Sequence, residues 1–119
     1  MMNQILNPVQ VEQKILETSN RIAKSAGECD RRYRAFLEAE WKYEQAYAKA
    51  YMGFDGPQQE KRYAAVEATA DEKKALNVAD AAYRYADRLA KSLQAELMSY
   101  QSVNRSVLAT YSAAGVGER

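Results

Sequence analysis

The residue types that do most enzymatic chemistry are scarce in this chain. Histidine is absent from all 119 residues, which removes the commonest general base, metal ligand and near-neutral titrating group. The single cysteine, Cys29, has no histidine to activate it as a nucleophile. It has no second cysteine for an internal disulfide either, which fits a reducing cytoplasm or carries no information about the compartment. Two carboxylate pairs, Glu40 with Glu44 and Glu67 with Asp71, stand one helical turn apart, a spacing that can hold a divalent ion. A di-iron bundle adds Glu-x-x-His motifs to such carboxylates, and the chain has none, so both pairs read as surface charges. No glycine-rich phosphate loop and no ligand set at metal spacing occurs. The expectation is a protein with no catalytic residues, no cofactor and no metal.

A second chemistry has more material. Tyr83, Arg84, Tyr85, Arg88 and Lys91 interleave basic and aromatic side chains, and Arg31, Arg32 and Arg34 cluster near Tyr33. Phosphate contacts combined with base stacking are how single-stranded nucleic acid is held. Acids break up both groups: Asp80 and Asp87 the first, Glu28, Asp30 and Glu38 the second. The net charge is only +1, from 17 basic and 16 acidic residues, whereas proteins that neutralise phosphates carry a clear positive bias. Nucleic acid is therefore an alternative partner and not the favoured one. Six acid–base pairs stand at i,i+4 with the acid first: Glu17–Arg21, Glu28–Arg32, Asp30–Arg34, Glu38–Lys42, Asp80–Arg84 and Asp87–Lys91. Each supports a helix by about 0.2–0.5 kcal/mol, and together they describe a solvated helical surface.

These residues must be carried on helices. The composition has 21 Ala and nine Tyr against two Pro and five Gly, too few turn formers for a β-sandwich or barrel. Asn7 and Pro8 read as an N-cap and first helical residue. From there a seam at alternating steps of four and three runs Val11, Ile15, Thr18, Ile22, Ser25, Cys29, Arg32, Phe36, Ala39, Tyr43, Ala46 and Ala50, close to a heptad repeat. Gly27 lies inside it and either is tolerated or breaks the helix, folding residues 8–26 back as a separate one. Gly53 to Pro57 is the strongest turn signal. Thr69-Ala70-Asp71-Glu72 matches a capping box, so either a new helix starts near Ala70 or one long helix shifts its buried face. A second seam runs Leu76, Ala79, Tyr83, Ala86, Ala90, Leu93, Leu97, Tyr100, Asn104, Val107, Tyr111 and Ala114. The expected fold is all-α: a long antiparallel helical hairpin, coiled-coil-like, or a three-helix bundle if breaks occur near Gly27 and Thr69. Helices are expected at about 8–52, 57–68 and 70–113 of a single domain over 1–114, followed by a disordered tail at 115–119.

The C-terminal third has its own character. From Ser92 to Gly117 the only charges are Glu96 and Arg105, a low-charge surface like the interior of an interface. This predicts a homodimer whose contact strip is Leu93, Leu97, Tyr100, Asn104, Val107 and Tyr111, unless the same face is buried in the chain's own bundle. Asn104, a polar residue in the seam, is placed to fix register. No apolar run approaches the roughly 20 residues that span a bilayer, and Met1 to Pro8 has no basic cluster followed by an apolar stretch, so neither a membrane nor a secretory signal is expected.

Three stretches, Thr69 to Ala75, Ala82 to Leu89 and Leu97 to Val107, resemble small, uncharacterised helical proteins of tailed bacteriophages, encoded near single-strand annealing recombinases and single-stranded-DNA-binding proteins. The resemblance implies a viral accessory protein in the cytoplasm of a bacterial host, acting in DNA metabolism or against host defence. The functional expectation is a non-enzymatic protein–protein interaction or scaffolding protein whose partner is itself, another protein, or both. The alternatives are a nucleic-acid-binding accessory of phage recombination or replication, and an inhibitor of a host nuclease or immune complex.

Overall fold

A computed structural model describes residues 7–116. Three α-helices hold nearly all of them: α1 (Pro8–Gly53), α2 (Gln58–Ala68) and α3 (Ala70–Val116). No strand occurs among the described residues. The fold is all-α, as the composition requires. Helix α3 runs on to Val116, through the start of the tail expected at 115–119; residues 117–119 lie outside the described residues.

Helix α1 begins with a reciprocal cap. The Gln10 backbone N–H donates to Asn7 Oδ1 at 2.9 Å, and the Asn7 backbone N–H donates to Gln10 Oε1 at 3.0 Å. Two of the helix's unpaired N-terminal donors are thereby satisfied, with Pro8 in the first helical position, where its missing N–H is harmless. The cap at Asn7 was expected; its return half, from Gln10, is an addition.

The break allowed for at Gly27 does not form. Helix α1 is continuous through it, and its φ is not positive. A Cβ built there would meet nothing within 4 Å. Glycine at this position is a propensity loss that the helix absorbs, not a turn. Gly56 is different. A Cβ there would lie 2.8 Å from Phe54 Cε1, so any side chain at this bend between α1 and α2 would have to push the Phe54 ring aside.

The break at Thr69 is real, with φ −111° and ψ 20°, but its chemistry differs from the expected capping box. The Thr69 hydroxyl donates to the Ala65 carbonyl at 2.6 Å, and the Thr69 N–H donates to the same oxygen at 3.1 Å. The side chain thus turns back to close α2 instead of reaching forward to open α3. This backward bond also lets a hydroxyl sit buried without losing a partner.

Two compact units make up the chain, one from the residues up to Ala26 with those from Arg88 onward, the other Gly27–Asp87. In the first, Val11, Thr18 and Leu93 are buried. In the second, Ala65, Thr69, Leu76 and Ala86 are. Contacts within the second unit run antiparallel. Arg32 of α1 meets Ala82 of α3, Tyr43 meets Lys73, and Tyr51 meets Lys61 of α2. As α1 ascends the partner number falls, so α2 and α3 together form the returning arm. The seams explain this packing. Every α1 seam position from Val11 to Ala50 is buried or half-buried, and so is every α3 position from Leu76 to Val107; Tyr111 and Ala114 are exposed.

Replacing Gly27 with Ala should raise stability by about 0.5–1 kcal/mol, and Asn7→Ala should lower it by about 1 kcal/mol, both measured by urea unfolding. A loss of stability in Gly27→Ala would mean that α1 breaks there in solution.

Candidate functional site

The second unit holds Arg31, Arg32 and Arg34 of α1 together with Tyr83, Arg84 and Tyr85 of α3. Arg32 occupies a seam position that a hydrophobe would normally fill. Its Nε donates to Glu28 Oε1 at 2.6 Å, its Nη1 donates to the Ala82 carbonyl at 3.1 Å, and its guanidinium carbon lies 6.0 Å from the centre of the Tyr85 ring. The long arginine stem covers the seam while the head ties α1 to the α3 backbone. Glu28 also accepts from Arg31. Hydrogen bonds from Arg31 and then from Arg32 hold the Glu28 carboxyl below the usual carboxylate range.

Beside this clamp lies an aromatic cluster. The Tyr33 and Tyr83 ring centres are 5.0 Å apart, and Phe36 stacks on Tyr83 at 6.3 Å. Tyr83 is half-buried, so its ring faces protein and not a free base. Arg84 Nε donates to Asp80 Oδ1 at 2.9 Å, and that bond raises the arginine's pKa further. Tyr85 is 60% exposed. Arg88 and Lys91 fall in the first unit, each engaged in interactions of its own. The five candidate nucleic-acid residues are thus divided between the units, and of their two rings Tyr85 is the one open to solvent.

The expected i,i+4 pairs Glu28–Arg32, Asp30–Arg34, Glu38–Lys42 and Asp80–Arg84 form. Glu17–Arg21 is replaced. Glu17 pairs with Lys14, and Arg21 instead reaches Glu96 of α3 at 3.8 Å. Glu67 and Asp71 fall on either side of the Thr69 break. Glu40 and Glu44 stay on α1, half-buried and exposed respectively, and Cys29 is half-buried. Among the described residues no group of three or more potential ligands is close enough to hold a metal ion, and no helix is long and apolar enough to cross a membrane. A cleft of about 480 Å³ opens where α1 meets α2, lined by Ala46, Ala50, Gly53, Phe54, Ala64 and Ala68 among others. Its lining is mostly apolar, with the Lys49 side chain and Thr69 as its polar members, and the Thr69 hydroxyl is already bonded to the Ala65 carbonyl.

In the first unit the expected contact strip is graded. Leu93 is 4% exposed, inside the chain's own packing; Leu97, Tyr100, Asn104 and Val107 are half-buried; Tyr111 is 57% exposed. Asn104 Oδ1 is buried without a hydrogen-bond partner. Met98, Val103 and Leu108 stand exposed beside the strip. The second unit holds an exposed row that the sequence reading passed over: Tyr33, Leu37 and Trp41, four residues apart on α1. Its signal was present in the spacing, but each residue sits one position off or between seam positions and was hidden by the stronger seam.

Two expectations follow. Leu97→Glu should destabilise the fold by about 2 kcal/mol or more, because it puts a charge into a half-buried seam, while Met98→Glu should change stability by less than about 0.5 kcal/mol; chemical denaturation separates them, and equal effects would remove Leu97 from the seam. The folded Glu28 carboxyl titrates below its ordinary value of 4.5, so its bonds to Arg31 and Arg32 contribute above that pH and are lost as pH falls through the lowered value. A carboxyl-carbon NMR titration should show this, and Glu28→Gln should abolish the acid-sensitive contribution. No protein-family model, curated protein or solved structure matches this chain.

Proposed function

We propose that this chain is a non-enzymatic helical interaction or scaffolding protein that works by presenting apolar rows to a second copy, another protein, or both. One observation carries this reading. Among the described residues five apolar side chains are buried, while fifteen large hydrophobic ones, including Leu16, Trp41, Met98 and Leu108, are exposed. Solitary exposed hydrophobes are ordinary, but rows of them along helices are what partner helices cover. Arg84 is committed to Asp80, and Arg32 of the neighbouring basic group to Glu28, which weakens the case for either group as a phosphate surface. The resemblance noted in the sequence supplies the setting: a phage accessory protein in the bacterial cytoplasm, where a foreign partner would be a host nuclease or immune complex.

The nucleic-acid alternative keeps one supporting feature, the exposed Tyr85 ring with a guanidinium beside it. Sedimentation velocity at tens of micromolar and fluorescence anisotropy with labelled single- and double-stranded DNA at two salt concentrations test the choice. Self-association above the 13.4 kDa chain mass, without salt-sensitive DNA binding, supports the interaction protein. Micromolar, salt-sensitive DNA binding that Arg88→Ala weakens would transfer the function to nucleic acid.

A further inference from the structure

We propose that α1 carries, within the second unit, a self-complementary face that pairs antiparallel with the same face of a second copy across a two-fold axis. This rests on the interaction reading above and names its partner.

Two adjacent rows make the face. The apolar row is Tyr33, Leu37 and Trp41, exposed by 42%, 42% and 60%. The charged row is Asp30, Arg34, Glu38 and Lys42, each exposed. Both rows step by four residues, so they run side by side along the helix. Within one copy the charges pair in two local bridges, Asp30–Arg34 at 3.0 Å and Glu38–Lys42 at 3.3 Å. Read along the helix the signs are minus, plus, minus, plus. A reversed copy presents plus, minus, plus, minus. Asp30 then opposes Lys42 of the second copy, and Arg34 opposes its Glu38, each twice. A parallel copy in register would set like charges against each other, which is unfavourable.

The local bridges account for each acid preceding its base. They do not account for the shared centre of the two rows. The charged row is symmetric about position 36 and the apolar row about Leu37, an offset of one residue, about 1.5 Å along the axis. One two-fold axis therefore serves both. It places Leu37 against Leu37 and Tyr33 against Trp41, large rings over apolar neighbours, with a complementary charged flank. That is the requirement of an isologous interface, where the same patch must fit its own rotated copy.

Trp41 is the only tryptophan in the chain, so the intact protein reports on this face through its own fluorescence. The experiment combines sedimentation velocity with tryptophan emission over a concentration series, on three full-length proteins: wild type, the all-positive row Asp30→Lys with Glu38→Lys, and the all-negative row Arg34→Glu with Lys42→Glu. The expected result is a wild-type dimer whose emission moves to shorter wavelength as it forms. Each variant alone should associate at least about tenfold more weakly, and a one-to-one mixture of the two should recover the dimer and its emission. Circular dichroism checks that the variants stay helical; if either does not, Leu37→Glu, which leaves the charged row intact, should give the same loss of association. A wild type that remains monomeric up to its solubility limit overturns the proposal and leaves the interaction reading with a foreign partner only. A dimer that persists in both charge variants and in Leu37→Glu also overturns it, while showing that association uses another face.

Discussion

Two helices packed side by side hide one stripe of each from water, and that geometric limit governs this chain. Within each unit α1 has one neighbouring arm, so no more than about a third of its circumference meets protein. The seam residues take that share. Alanine lets the axes come close, and Tyr43, Tyr47, Tyr51, Tyr83 and Tyr100 fill the edges as half-buried rings with hydroxyls able to reach water. The buried apolar core is accordingly small: Val11, Ala65, Leu76, Ala86 and Leu93. Among the described residues most of the large hydrophobic side chains off the seams are left on the outside, and the exposed rows follow from the thinness of the core.

The same limit shows in how polar residues are handled. A thin seam can accept Arg32 because its stem lies along the interface while its head finds Glu28 and the Ala82 carbonyl. It accepts Thr69 because the hydroxyl bonds back to Ala65. Each is a buried or half-buried polar group with its partner supplied locally, so neither carries the penalty of an unsatisfied one. Arg32 also changes how the basic cluster reads. In sequence, Arg31, Arg32 and Arg34 look like a positive patch. In the folded chain Glu28 takes two of them and Asp30 the third, so the patch becomes a set of closed local pairs.

Much of this was legible in the sequence, and the parts that were not have identifiable causes. A seam of twelve positions predicts burial well because each residue is supported by the ones a turn away, so Arg32 and Ser25 follow their neighbours inward despite their polarity. Gly27 was ambiguous because its cost of about 1 kcal/mol is small beside the packing of the residues around it. The Thr69 break was visible, but a threonine hydroxyl can bond forward to a helix start or back to a carbonyl, and sequence does not choose between them. Glu17–Arg21 failed because Glu96, unseen from α1's own sequence, is within reach of Arg21. The row of Tyr33, Leu37 and Trp41 was missed because a periodicity search returns the stripe that packs and passes over a second stripe beside it.

Asn104 brings these threads together in the first unit. It holds a seam position, half-buried, with its Oδ1 out of reach of water and of any hydrogen-bond partner. In a thick core such an oxygen would be worth about 1–3 kcal/mol in lost stability. Here it lies where the α3 seam is running out: Val107 is still half-buried, but Tyr111 and Ala114 are already exposed. From Arg105 to Ala114 Val107 is the one half-buried residue, so opening this end of α3 gives up little of that helix's burial and leaves Leu93, about three turns back, in place. The polar exceptions of a thin two-helix seam thus survive either where they carry their own partners, as Arg32 and Thr69 do, or, as with Asn104, where the seam on their own helix is running out.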